Sequence, residues 1–166
     1  KIYLKEFQDK YKTSQRSRST SSELPTRPRV HKYVEDLINL CKANGSNPYV
    51  HHDTGIVSRD RPDWTIEDTT SLGIYFFGDH KDLNLKDTYS PTPGEVDQIK
   101  RYLSFGRPVF VFDGLEFTLF EGDFHNSTSY PLIEKSGLAN KAWENQSINP
   151  QIENIFKNLL GNPGFR

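Results

Sequence analysis

Residues 108–112 read Pro-Val-Phe-Val-Phe, an unbroken apolar run closed by Asp113-Gly114. A short apolar run without polar alternation is the pattern of a buried strand, and such a strand needs other elements packed over it. Asp113-Gly114 is a two-residue hairpin signal, so residues 115–120 are expected to return as the partner strand. Residues 72–81, Leu-Gly-Ile-Tyr-Phe-Phe-Gly-Asp-His-Lys, form the strongest strand pattern in the chain. Two weaker strands precede it, at 49–57 and at 61–66, the second closed by Glu67-Asp68.

Helical periodicity alternates with these strands. Val30, Tyr33, Val34, Leu37 and Cys41 share one helix face, and Asn44-Gly45 ends that helix. Thr92-Pro93-Gly94-Glu95 is a capping box with proline at the first helical position. The helix it opens turns Val96, Ile99 and Leu103 to one side and stops at Gly106. Asn149-Pro150 starts a last helix bearing Ile152, Ile155, Phe156 and Leu159. A short helix also fits residues 1–11. From Val30 onward the order is helix, three strands, helix, two strands, helix. That order predicts an α/β fold, a mixed central sheet flanked by helices.

Composition narrows the class. A chain of 166 residues fits one domain. Its mean hydropathy of -0.73 argues against a membrane protein, and its apolar stretches fall far short of the ~18 residues a spanning helix needs. The net charge of -1 means that any attraction to nucleic acid must come from local basic patches. Cys41 stands alone, which excludes a disulfide framework or a cysteine zinc site. The glycosylation-type triplets at Asn126 and Asn145 are read as chance. No methionine occurs, even at position 1, and this predicts a fragment of a larger protein. Residues 12–29 are rich in Ser, Thr, Arg and Pro and read as a flexible segment. Arg16, Arg18, Arg27 and Arg29 within it suit phosphate contact or plain solvation equally. The expected organisation is an N-terminal helix and basic linker over 1–29, a core over 30–125 and a helical extension over 126–166.

Chemistry concentrates at the ends of two strands. Pro62-Asp63 and Asp79-His80-Lys81 lie on consecutive strand patterns joined by a short turn. Side chains alternate along a strand, so Asp79 and Lys81 share a face while His80 points away. Pairing of the two strands would bring Asp63 to Asp79. Two carboxylates and a lysine suit phosphodiester hydrolysis: hard oxygens hold Mg²⁺, and an ammonium orients water and offsets charge on the phosphate. His51-His52-Asp53 has no further histidine at ligand spacing and reads as a polar strand or loop. Lys100, Arg101 and Arg107 are candidates to line a DNA channel.

Pro62-Asp63 followed by Asp79-His80-Lys81 resembles the PD-(D/E)xK nuclease signature. The predicted element order resembles that family's αβββαβ restriction-endonuclease-like core over about residues 30–112. Gln98 and Tyr102, as Q-x-x-x-Y on the next helix, resemble a motif of type I restriction motor subunits and RecB-like nucleases. The resemblance implies Asp63 and Asp79 as metal-binding acids, with Glu35 of the first helix as a third, and Lys81 as the catalytic lysine. Gln98 and Tyr102 would project together and support the site. It further implies Mg²⁺, with Mn²⁺ substituting, and cytoplasmic double-stranded DNA as substrate. The implied parent is a bacterial or archaeal restriction enzyme carrying a helicase-like motor or an adenine methyltransferase. His80 departs from the pattern, which has an apolar residue at that position. Two alternatives stand beside this reading: a nuclease-like module that binds DNA or protein without cutting, and a repair or recombination exonuclease of the same clan.

Overall fold

The computed structural model describes residues 3–9, 23–52, 61–83, 89–134 and 148–161. Helix α1 covers 3–9. It is followed by α2 (Glu23–Cys41), β1 (Pro48–His52), β2 (Trp64–Asp68), β3 (Ile74–His80), α3 (Pro93–Leu103), β4 (Val109–Phe112), β5 (Glu116–Glu121), β6 (Asp123–Pro131) and α4 (Gln151–Leu159). The strands form one sheet in the order β1-β2-β3-β4-β5-β6. Every neighbouring pair is antiparallel except β3–β4, which is parallel. A parallel pair needs a long crossover, and α3 lies on it. From α2 to β4 the order is helix, three strands, helix, strand, as expected. The fold is a mixed α/β sandwich.

Alternation along the central strands supplies both faces. Trp64, Ile66, Phe76, Phe110 and Phe112 meet α1, α2 and α4 in the larger core. Phe77, Val109, Val111 and Phe120 meet Ile99, Tyr102 and Leu103 of α3 in the smaller one. Cys41 is buried with the larger core, as its helical spacing predicts. Asp113 shapes the hairpin turn by accepting the N–H groups of Leu115 and Glu116 at 2.9 and 2.8 Å. Gly114, at φ 100°, carries the left-handed step there. Its carbonyl accepts the Tyr3 hydroxyl at 2.7 Å, which ties α1 to the sheet.

Two expectations need correction. Helix α2 begins at Glu23, so part of the expected flexible tract is helical, and it runs through Pro28. Pro28 forfeits one helix hydrogen bond, but Thr26 and Val30 on either side are fully buried and anchor that turn. The second correction is β6, which the division at 125/126 cuts. Its Asn, Ser and Thr residues are largely exposed, so it carries no apolar alternation. It forms by pairing with β5 as an edge strand. The remaining parts of the expected tract and of the first strand, 12–22 and 53–57, lie outside the described residues. No described helix is long and apolar enough to cross a membrane.

Gly78 is the closest fit in the sheet. A Cβ there would lie 2.2 Å from Cζ of Phe110. That ring is itself enclosed by Trp64, Phe76, Phe117 and Phe156. Gly78→Ala is therefore expected to destabilise the fold by about 1–3 kcal/mol through overpacking. Urea unfolding measures it; an unchanged midpoint would show that the Phe110 ring gives way freely.

Candidate functional site

Asp63 immediately precedes β2, and the register Trp64↔Gly78 sets it opposite Asp79 on β3. The two acids then replace the next rungs of the ladder. The N–H of Asp63 donates to Oδ1 of Asp79 at 3.0 Å, and the N–H of His80 donates to Oδ2 of Asp63 at 2.6 Å. Only 8% of Asp63 and 3% of Asp79 is exposed, a costly placement for carboxylates unless hydrogen bonds and cations compensate. Two cations do so. Arg27 of α2 reaches Oδ1 of Asp63 at 3.3 Å, and the Lys81 ammonium stands 3.9 Å from Oδ2 of Asp79.

Lys81 also faces the start of α3. Its Nζ donates to Oε1 of Gln98 at 3.2 Å and lies 3.9 Å from Oε2 of Glu95. The capping box that starts α3 is formed as its sequence predicts: the Thr92 hydroxyl accepts the Glu95 N–H, and the Glu95 side chain accepts the Thr92 N–H. The helix register thereby aims positions 95 and 98 at the lysine. The Tyr89 hydroxyl donates to the same Glu95 carboxylate. Burial, then the bond to Glu95 and the charges of Glu95 and Asp79, push the Tyr89 phenol far above its ordinary range.

The structure thus brings Asp63, Asp79, Lys81 and Gln98 together. It does not bring Tyr102 with them. Tyr102 is fully buried, its ring 5.8 Å from that of Phe77 in the smaller core. Residues four apart on a helix differ by roughly 40° of arc. Gln98 can therefore sit on the flank while Tyr102 lies inside, and Val96, expected in the core, is only half-buried. Glu35 is likewise separate. Its carboxylate engages Nε2 of His52 on β1. It lies two helical turns, roughly 12 Å, beyond Arg27 along α2. Helix α2 thus presents Arg27 to the acids.

The neighbouring polar residues are otherwise engaged. His51 lies 3.7 Å from Glu67, and the His31 and His52 Nδ1 atoms are 3.2 Å apart. Among the described residues no group of three or more His, Cys, Asp or Glu side chains is placed to hold a metal. Arg29 pairs with Glu6. Arg107 donates to the Tyr75 carbonyl. Lys100 lies over the Phe124 ring. Arg16, Arg18 and Asp53 fall outside the described residues. Sequence reading missed Glu95 and Tyr89 as parts of the site, although position 95 lies three before Gln98 and so shares its helix flank.

No family model matches this chain, and no curated protein is similar to it. The chain is similar to one chain of a cryo-electron microscopy structure of a DrdV–DNA complex, at 16% identity and a TM-score of 0.46. The match covers 94% of this chain and 14% of that one.

His80 lies between Asp79 and Lys81 in the chain but points to the α2 face, its ring 6.4 Å from that of His31, and is 1% exposed. Burial, then the charges of His31, Arg27 and Lys81, push its imidazole down to about 3. The folded protein therefore keeps His80 neutral, whereas the unfolded chain takes up a proton below about pH 6.5. Stability due to this group is complete above that pH and falls as pH drops toward 3. The loss by pH 5 is about 2 kcal/mol. Urea unfolding at pH 7.5 and pH 5 is expected to show a steeper loss for the wild type than for His80→Gln. Equal losses would mean that His80 is protonated in the folded state.

Proposed function

We propose that this domain hydrolyses DNA phosphodiester bonds as a Mg²⁺-dependent endonuclease. The observation that carries the reading is the buried pair of Asp63 and Asp79, each bonded to backbone at the other's strand, with Lys81 beside them. Burying two like charges this close is expensive for a fold, and a divalent cation is the partner that makes such a pair useful. The signature resemblance of the same three residues supports it independently of the geometry.

The donor set fits the ion. Mg²⁺ takes one or two carboxylates and fills its remaining positions with water and substrate phosphate oxygens. Two aspartates, with no third ligand beside them among the described residues, match that habit and do not match a closed zinc site. Asp63 and Asp79 are the residues that would hold it, and Mn²⁺ would bind through the same oxygens. A bound ion would polarise the phosphate and lower the pKa of a coordinated water.

The remaining work falls to this chain's own side chains. The Lys81 ammonium orients the attacking water and offsets negative charge developing on the phosphate, an electrostatic role that needs it fixed before substrate arrives. Gln98 accepts a hydrogen bond from it and so holds it in place. Arg27 balances Asp63. Tyr102 contributes by packing α3 onto the sheet, and Glu35 takes no part. In the larger restriction enzyme we infer, the helicase-like motor or methyltransferase would choose the DNA site.

Nicking of supercoiled plasmid in Mg²⁺ tests the reading. Asp79→Ala is expected to abolish cutting, and Lys81→Ala to slow it by about 10²–10⁴-fold. Calorimetric titration with Mn²⁺ should show binding retained in Lys81→Ala and lost in Asp79→Ala. A wild type that binds duplex DNA yet never nicks it would make this a binding module. Ion affinity collapsing with Lys81 would make the lysine an organiser of the metal site.

A further inference from the structure

Glu95 does more at the start of α3 than a cap requires. A capping box needs one carboxylate oxygen returned to the N-cap residue. Oε1 of Glu95 fills that role, lying 3.5 Å from the Thr92 N–H and 3.1 Å from its hydroxyl. Oε2 is turned the other way, toward the Tyr89 hydroxyl and the Lys81 ammonium. An ammonium offers three donors. Among the described residues three oxygens face this one: Oε1 of Gln98 at 3.2 Å, and Oε2 of Glu95 and Oδ2 of Asp79, each at 3.9 Å. A lysine side chain left to itself samples many rotamers, and ordering it is entropically costly. Here the cost is offset by a carboxylate that is itself pinned from two sides. Tyr89, half-buried and with its phenol held protonated, is a permanent donor to Glu95.

We propose that Glu95, braced by Tyr89, is a positioning residue that fixes the Lys81 ammonium beside Asp79 and Gln98. The functional consequence rests on the nuclease reading above; the positioning itself does not. A cap and a positioning charge can be separated chemically, because glutamine also closes a capping box. Glu95→Gln keeps the cap through its one oxygen and turns its amide nitrogen, which the Tyr89 oxygen can accept from, to the side of Lys81, so the charge facing Lys81 is removed. Glu95→Ala removes both.

The test compares these variants in the metal-free chain and then in cleavage. In the metal-free wild type, the ¹H–¹⁵N correlation of the Lys81 ammonium is expected to be visible, because held protons exchange slowly with water. It is assigned by its loss in Lys81→Arg. In Glu95→Gln it is expected to disappear while the melting temperature stays near wild type, and Glu95→Ala should also melt lower. Cleavage by Glu95→Gln should fall about 10–100-fold, the usual scale for a residue supporting a site from behind, with the loss in kcat and not in KM. Two results overturn the proposal: no Lys81 signal in the wild type, or a signal that persists in Glu95→Gln. An unchanged rate in Glu95→Gln overturns the catalytic consequence. If the wild type does not cut at all, the nuclease reading fails, and the ammonium signal alone judges the positioning.

Discussion

Two carboxylates exchange hydrogen bonds with each other's strand at the end of the β2–β3 pair, and the local architecture depends on that exchange. Asp79 accepts from the backbone of Asp63, and Asp63 accepts from the backbone of His80. The side chains thus continue the ladder past the point where the strands stop pairing. A buried carboxylate that gives up such bonds faces a desolvation cost of several kcal/mol. The acids are accordingly held at one separation and on one face, which preorganises the site.

The rest of the sheet serves that arrangement. The parallel pairing of β3 with β4 carries the chain over one face in a crossover, and α3 lies on that face. Its capped start stands beside Lys81, one residue past β3. Meanwhile α2, on the opposite face, reaches over with Arg27 to Asp63. Each acid is therefore matched to a cation from a different direction. Packing beneath is equally strict: Gly78 leaves its Phe110 neighbour no spare room, and His80 stays neutral among aromatic rings and cations. The acids rest on a layer that cannot easily shift.

Some of this was legible in residue order. Asp79 and Lys81 on one face follow from the two-residue period of a strand, and the Thr92–Glu95 box announced where α3 begins and hence how its flank is oriented. Other parts were hidden for identifiable reasons. Glu95 looked complete as a cap, so its second oxygen attracted no attention. Arg27 sat in a tract whose Pro28 and serines suggested irregular chain. Tyr102 was separated from Gln98 by an arc too small for pattern reading to divide flank from core. The edge strand β6 is polar along its middle, with only Phe124 and Tyr130 near its ends packed against the cores, and it forms by pairing with β5.

By itself, the sequence determined the elements whose signals are local: helices with capped starts, apolar strands, the Asp113-Gly114 turn and the alternation that pairs Asp79 with Lys81. These depend on hydrogen bonds and side-chain periods spanning a few residues, so nearby sequence suffices. Only the tertiary structure decided which residue of α2 meets the acids, whether Tyr102 lies inside or beside the site, and that Glu95 and Tyr89 close around Lys81. Those outcomes turn on how far one element slides or rotates against another. That is settled by the packing of side chains distant in sequence, where one helical turn or a few tens of degrees exchanges a core residue for a functional one.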